Sequence, residues 1–139
     1  MAFPLLDTSV FSTYKNQIDE NFKTFHFSIV VFYELMASLI DESTLKKYEH
    51  WQTVLQKSGK LLAPTKTDWI TSAKAVRRLR HLKLINRNLS PTTLQNDALI
   101  ARCAVMHACF VVTVNIRDYT LLQKVMPKLE VIPVKDFFG

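Results

Sequence analysis

The apolar positions change period several times along the chain, and each change marks a predicted element. Ala2 to Leu6 is a short apolar run stopped by Asp7; it predicts a buried strand, a turn, and then a helix through about residue 20. Pro4 cannot donate to a sheet ladder, so it belongs at the strand's beginning or where no donor is needed. Thr24 to Ser28 predicts a second, very short strand. Ile29 to Ile40, IVVFYELMASLI, is apolar nearly all round, which marks a buried helix, with Ser28 as its cap and Glu34 as its one charge. Asp41 to Ser58 predicts an amphipathic helix with a stripe at Leu45, Tyr48, Gln52 and Leu55, stopped by Gly59 at the C′ position. Leu61 to Ala63 predicts a third strand. Thr67 starts a helix whose apolar stripe is Ile70, Ala73, Val76, Leu79 and Leu82, and whose other faces carry Lys74, Arg77, Arg78, Arg80, His81 and Lys83. A polar loop at Asn86 to Pro91 leads to a helix from about Thr93 to His107. A strand around Phe110 to Val114, a helix from about Arg117 and a last strand at Glu130 to Pro133 complete the pattern.

Short apolar strands alternating with helices imply an α/β fold with a parallel sheet covered on both faces. Residues 1–139 show no repeat and no linker, so one domain is expected. Only two glycines are present, which excludes a glycine-rich phosphate loop and with it the Rossmann and P-loop readings. Hydrophobic residues are 48% and charged residues 22%, a globular balance. The apolar start MAFPLL is too short for a secretory signal, and no run approaches the roughly 18 apolar residues of a membrane span. A cytoplasmic protein is expected. Cys103 and Cys109 lack CxxC spacing and read as reduced core residues, and the four histidines lack the paired spacing of a zinc site. The net charge of +6 and pI near 9.4 point toward a polyanionic partner.

In an open α/β sheet, ligands bind at the carboxyl ends of the strands. Asp7 ends the first strand and Asp118 follows the Phe110 strand by one turn, so both reach one edge if those strands are parallel neighbours. Asp97 shares a helical stripe with Ala101, Ala104 and Ala108, which aims it at the core near the helix's N-terminal end. Glu34 lies on the apolar helix, where an isolated carboxylate costs several kcal/mol unless it is paired or metal-bound. The other three acids each have a structural reading as well. Asp7 could cap the following helix, Asp97 could be a first-turn residue favoured by the dipole, and Asp118, three after Asn115, fits a capping-box-like start. Converging on one edge, the four would repel and raise their own pKa values. A hard divalent cation with oxygen ligands, Mg²⁺ or Mn²⁺, relieves that repulsion.

Several short motifs add a resemblance. LLDTSV at residues 5–10, the glutamate inside FSIVVFYEL, PTKTDW, NDALIARCA and VTVNIRDY resemble the motifs of PIN-domain ribonucleases, in particular the VapC-like toxins of type II toxin–antitoxin modules. The resemblance implies a three-layer α/β/α PIN-like fold with a short-stranded, mainly parallel central sheet. It implies Asp7, Glu34, Asp97 and Asp118 as catalytic and metal-binding residues. Thr8 and Ser9 match the family's hydroxyl position after the first acid, and Thr113 and Asn115 its polar pair before the fourth. The implied activity is Mg²⁺- or Mn²⁺-dependent hydrolysis of RNA, tRNA or another structured RNA, leaving 5′-phosphate and 3′-hydroxyl ends. The implied partners are a cognate antitoxin and a second copy, with the helical hairpin at residues 42–82 as a candidate homodimer interface. A PIN nuclease of RNA processing or DNA cleavage, or an inactive nucleic-acid-binding module, are the competing readings. Arg77 and Arg80, with Arg78 and Lys83, are placed to meet RNA phosphates unless they form an ordinary solvated face, and Arg102 and Arg117 lie nearer the acids in sequence. Where the family often has glycine between helix and strand, this chain reads His107-Ala108-Cys109, which predicts an altered turn.

Overall fold

The computed structural model describes residues 2–85 and 91–139, with side chains described for all of these except 91–93. The polar loop predicted from Asn86 onward lies outside the described residues. In chain order the elements are β1 (Phe3–Leu6), α1 (Lys15–Asn21), β2 (Phe27–Ser28), α2 (Ile29–Ala37), α3 (Glu42–Lys57), β3 (Leu61–Leu62), α4 (Lys66–His81), α5 (Pro91–Met106), β4 (Cys109–Thr113), α6 (Ile116–Gln123), β5 (Val131–Pro133) and α7 (Val134–Phe138). Every strand pair is parallel: β1 with β4, β4 with β5, and β2 with β3. A parallel bridge between Leu5 and His26 joins the two ladders, giving the spatial order β3-β2-β1-β4-β5. Neighbours along a strand point to opposite faces, yet Leu5, Leu6, Val111 and Val112 are all fully buried. Both faces of the central strands are therefore covered, as a three-layer α/β/α arrangement requires.

Pro4 sits inside this sheet without leaving a gap. Phe3 and Asp7 donate to Ala108 and Val112 of the β4 side, Leu6 donates to His26, and Pro4 only accepts, through its carbonyl, from the His26 N–H at 2.9 Å. Helix ends follow local chemistry closely. Ser28 Oγ accepts from Val30 N at the start of α2, and Thr65 and Asp68 form a reciprocal capping box at the start of α4. Gly59, at φ 73°, closes α3 with a paired 5→2 and 6→1 motif: Gly59 N donates to Gln56 O and Lys60 N to Leu55 O.

At the turn after α5, Ala108 itself adopts the left-handed conformation, at φ 54°, which costs an L-residue about 1–2 kcal/mol. A 3-10 turn at Thr8–Val10 precedes the first helix, which starts at Lys15. Two predictions need correction. The apolar helix α2 ends at Ala37 and is not buried all round; Val30, Val31 and Phe32 enter the core while Tyr33 is 68% exposed. On α4 the inward face is Asp68, Ser72, Ala75, Val76 and Leu79, with Ile70 and Leu82 half exposed. That face carries polar positions whose partners are on α5: Asp68 pairs with Arg102, and Ser72 Oγ donates to Ala98 O. The small Ser72 and Ala75 also let the two helices pack closely. Helix α7 adds an aromatic cluster, with Phe137 and Phe138 against Phe25 and Tyr14. Cys103 and Cys109 are free and buried. Among the described residues no helix is long and apolar enough to cross a membrane.

Candidate active site

The parallel pairing of β1 with β4 sets Leu6 beside Val112, so the chain leaves both strands at the same edge. Asp7 is the first residue beyond β1, with its N–H on Val112 O at 3.0 Å. Its side chain is almost entirely buried, 2% exposed, and accepts from three hydroxyls. Ser9 Oγ and Thr113 Oγ1 donate to Asp7 Oδ2 at 2.7 and 2.8 Å, and Tyr119 OH donates to Oδ1 at 2.9 Å. Ser9 reaches back because the 3-10 turn folds it toward β4, where Val114 N donates to its Oγ. Thr113 Oγ1 also accepts from Asn115 N at 2.8 Å, which fixes the chain as it turns from β4 into α6.

The other three acids are held by two side chains. Asn115 Nδ2 donates to Asp97 Oδ2 at 3.2 Å and to Asp118 Oδ2 at 2.8 Å, so one amide bridges α5 and α6. Thr8 Oγ1 donates to Glu34 Oε1 at 2.7 Å, tying the turn after β1 to α2. The local alternatives fall away at each position. Asp7 makes no side-chain cap bond, the first turn of α5 holds no acid because that helix begins at Pro91, and Asn115 makes no side-chain cap bond on α6. Asp118 faces the bridging amide instead.

Burial raises the Asp97 pKa to about 8, helped by the charges of Asp7, Asp118 and Glu34, while the Asn115 hydrogen bond acts the other way. Burial, then Asp7 and Asp97, push the Tyr119 hydroxyl well above its ordinary value, so it stays a donor. Among the described residues no group of three or more His, Cys, Asp or Glu side chains forms a ready metal site. Mg²⁺ keeps several waters and takes one or two carboxylates directly, so such convergence is not required. The chemistry of the donor set fits it: burial first, and then the charges of Asp7, Asp118 and Glu34, disfavour an ionised Asp97, and a hard cation with oxygen ligands would offset both.

The edge thus gathers Asp7, Glu34, Asp97, Asp118, Thr8, Ser9, Thr113 and Asn115. The arginines are elsewhere or engaged. Arg102 Nε pairs with Asp68 Oδ1 at 2.7 Å, so it ties α5 to α4. Arg77 and Arg80 line a hollow between α4 and α5 that contains none of the four acids, and Arg117 is exposed on α6. Sequence reasoning missed Tyr119. The available signal was a hydroxyl on a residue next to Asp118 and three before Leu122, on the buried stripe of α6.

No family model matches this chain, and no curated protein does. Solved structures do. The chain is similar to a chain of the DNA-bound VapBC from Salmonella typhimurium, with 19% identity and TM-score 0.67 over 96% of this chain and 99% of that one. It is similar to a chain of VapBC-1 from nontypeable Haemophilus influenzae, with 18% identity and TM-score 0.64 over 95% and 98%. FitAcB from Neisseria gonorrhoeae gives 17% identity and TM-score 0.62 over 93% and 96%. The fold is accordingly the three-layer, PIN-like one that the motifs imply, shared with chains of VapBC and FitAB complexes.

Proposed function

We propose that this chain is a metal-dependent endoribonuclease, acting as the toxin of a toxin–antitoxin pair. The observation that carries the reading is that Asp7, Glu34, Asp97 and Asp118 lie at one sheet edge, tied to the chain ends of β1 and β4 by Thr8, Ser9, Thr113 and Asn115. Asp7 and Asp97 would hold Mg²⁺ or Mn²⁺, with Glu34 and Asp118 directly or through water. The bound cation supplies charge to the scissile phosphate and acidity to a water.

The chain's own residues prepare that chemistry. Three hydroxyls hold Asp7 in one orientation. Asn115 keeps Asp97 and Asp118 together against their repulsion, and Thr8 fixes Glu34. On this reading Ser9 or Asn115 would orient the attacking water, exchanging a hydrogen bond that it now gives to an acid. Such a water, held at the acids, would attack the phosphorus without an imidazole base, leaving 5′-phosphate and 3′-hydroxyl ends. An antitoxin that covers this edge would inhibit it, and a homodimer and a cytoplasmic site of action belong to the same reading.

The test is incubation of purified protein with tRNA, and in parallel with single-stranded DNA, in Mg²⁺ or Mn²⁺ beside Asp7→Asn. Cleavage of RNA by the parent and a loss of at least about a hundredfold in Asp7→Asn is expected. Equal cleavage by the two overturns the site, and cleavage of DNA alone overturns the substrate. Expression in cells should arrest growth with the parent and not with Asp97→Asn; arrest by both overturns the toxin reading.

A further inference from the structure

We infer that a single-stranded RNA segment next to the scissile phosphate lies in a trough along α4, stacking its bases on Trp69 and Tyr33 and placing phosphates at Arg77 and Arg80. This inference rests on the nuclease reading above and adds where the substrate strand runs. Two hollows form the trough. One, of about 530 Å³, is walled by Tyr33 of α2, Pro64, Trp69, and Gln95 and Asn96 of α5. The other, of about 330 Å³, runs on between α4 and α5 to Arg77 and Arg80. Trp69, Gln95 and Leu99 line both, so the hollows are adjacent. From Trp69 to Arg80 the helical rise is about 16 Å, room for a short run of nucleotides.

Tyr33 and Asn96, which line the first hollow, are the chain neighbours of Glu34 and Asp97, so that hollow lies against the same two helices, α2 and α5, that carry two of the four acids. The chemistry of the trough matches a nucleic-acid strand. Tyr33 is 68% and Trp69 49% exposed, large apolar rings left in water with no aromatic partner among the described residues. Every base offers a π-face to such rings. No carboxylate lines either hollow, while two guanidinium groups line the far one. Among the described residues neither arginine has a carboxylate partner, and Arg80 Nε is buried without a hydrogen-bond acceptor. The outer guanidinium nitrogens of the two residues are the groups that would meet a phosphate. The capping box of Thr65 and Asp68 fixes the first turn of α4, so the Trp69 indole is presented on a preset backbone and loses little freedom on stacking.

The experiment measures binding of a fluorescein-labelled, ten-nucleotide single-stranded RNA to the full chain carrying Asp97→Asn, in EDTA, by anisotropy. Trp69→Ala should raise Kd about tenfold or more, and Trp69→Phe, which keeps a ring, should stay within about threefold. Arg77→Gln with Arg80→Gln should flatten the slope of log K against log salt by about 1.4, the share of two phosphates on a single strand. A Kd for Trp69→Ala within twofold of its parent overturns the trough. So does intact RNA binding with a changed oligomeric mass by light scattering, which would make this face a protein interface. Failure of the nuclease reading is visible separately: it would appear as metal-dependent cleavage that Asp97→Asn retains, whatever Trp69→Ala does to binding.

Discussion

Asp97 and Asp68 are both carboxylates inside the same pair of packed helices, and their environments push them in opposite directions. The pKa of Asp97, on α5, is raised to about 8 by its burial first and then by the like charges around it, against one neutral amide. Asp68, on α4, is opposed by its burial, but the Thr65 backbone N–H, the Arg102 guanidinium and the Thr65 hydroxyl outweigh that and lower its pKa. The fold therefore completes one acid and leaves the other short of positive charge. A completed buried carboxylate is part of the scaffold, whereas an incomplete one is held ready for something outside the chain.

The largest test of that contrast is activity. Asp97→Asn should cut RNA cleavage by at least about a hundredfold while leaving the metal-free protein as stable as the parent or more so, since the cost of neutralising a carboxylate on folding is removed. Asp68→Asn should keep most cleavage and lose stability. The contrast breaks if both variants lose activity equally while folded.

The pH dependence of stability should differ next. Asp97 has a folded pKa raised above its ordinary value, so its favourable contribution is complete below about pH 4 and is lost as pH climbs toward 8. Metal-free protein should therefore lose up to a few kcal/mol over that range by thermal unfolding, with Mg²⁺ restoring stability at the upper end. Asp97→Asn should flatten the profile; an unchanged slope would show that the four acids are not coupled. Asp68 has the opposite sign: its contribution is present above its ordinary value of 3.8 and disappears only as pH falls through its lower folded value. Asp68→Asn should cost about 2 kcal/mol at neutral pH, because it strands Arg102 and weakens the capping box.

Smaller effects sharpen the comparison. Tyr119→Phe removes one of three donors to Asp7 and should cost about 1 kcal/mol in urea unfolding, with weaker Mg²⁺-induced stabilisation. An unchanged Mg²⁺ response would mean that the hydroxyl does not position Asp7. Ala108→Gly touches neither carboxylate and serves as the control: it should raise stability by about 0.5–1 kcal/mol by relieving a left-handed alanine, with cleavage unchanged.

Much of this molecule is legible in one dimension. Alternating short strands and helices imply the parallel, doubly covered sheet; Ser28 and Gly59 mark helix ends; and the four acids appear in the order in which the fold assembles them. These features are local, because period, capping and turn chemistry act over a few residues. The inward face of α4 was not legible. Periodicity sorts side chains by polarity, and it cannot tell that Asp68 and Ser72 are matched by Arg102 and Ala98 and so can be buried beside Leu79.

The acid residues themselves were identifiable from the sequence, but their surroundings were settled only by tertiary contact. Tyr119 reaches Asp7 across 112 positions and Thr113 across 106, and one Asn115 amide joins acids from two helices. Whether a buried carboxylate is paired or left in deficit depends on such distant neighbours. The sequence alone determined which acids the chain carries and on which elements. Only the packing of β1 against β4 and of α5 against α6 decided that four of them share one repulsive, hydroxyl-braced edge, because charge interactions depend on distance in space and not on separation along the chain.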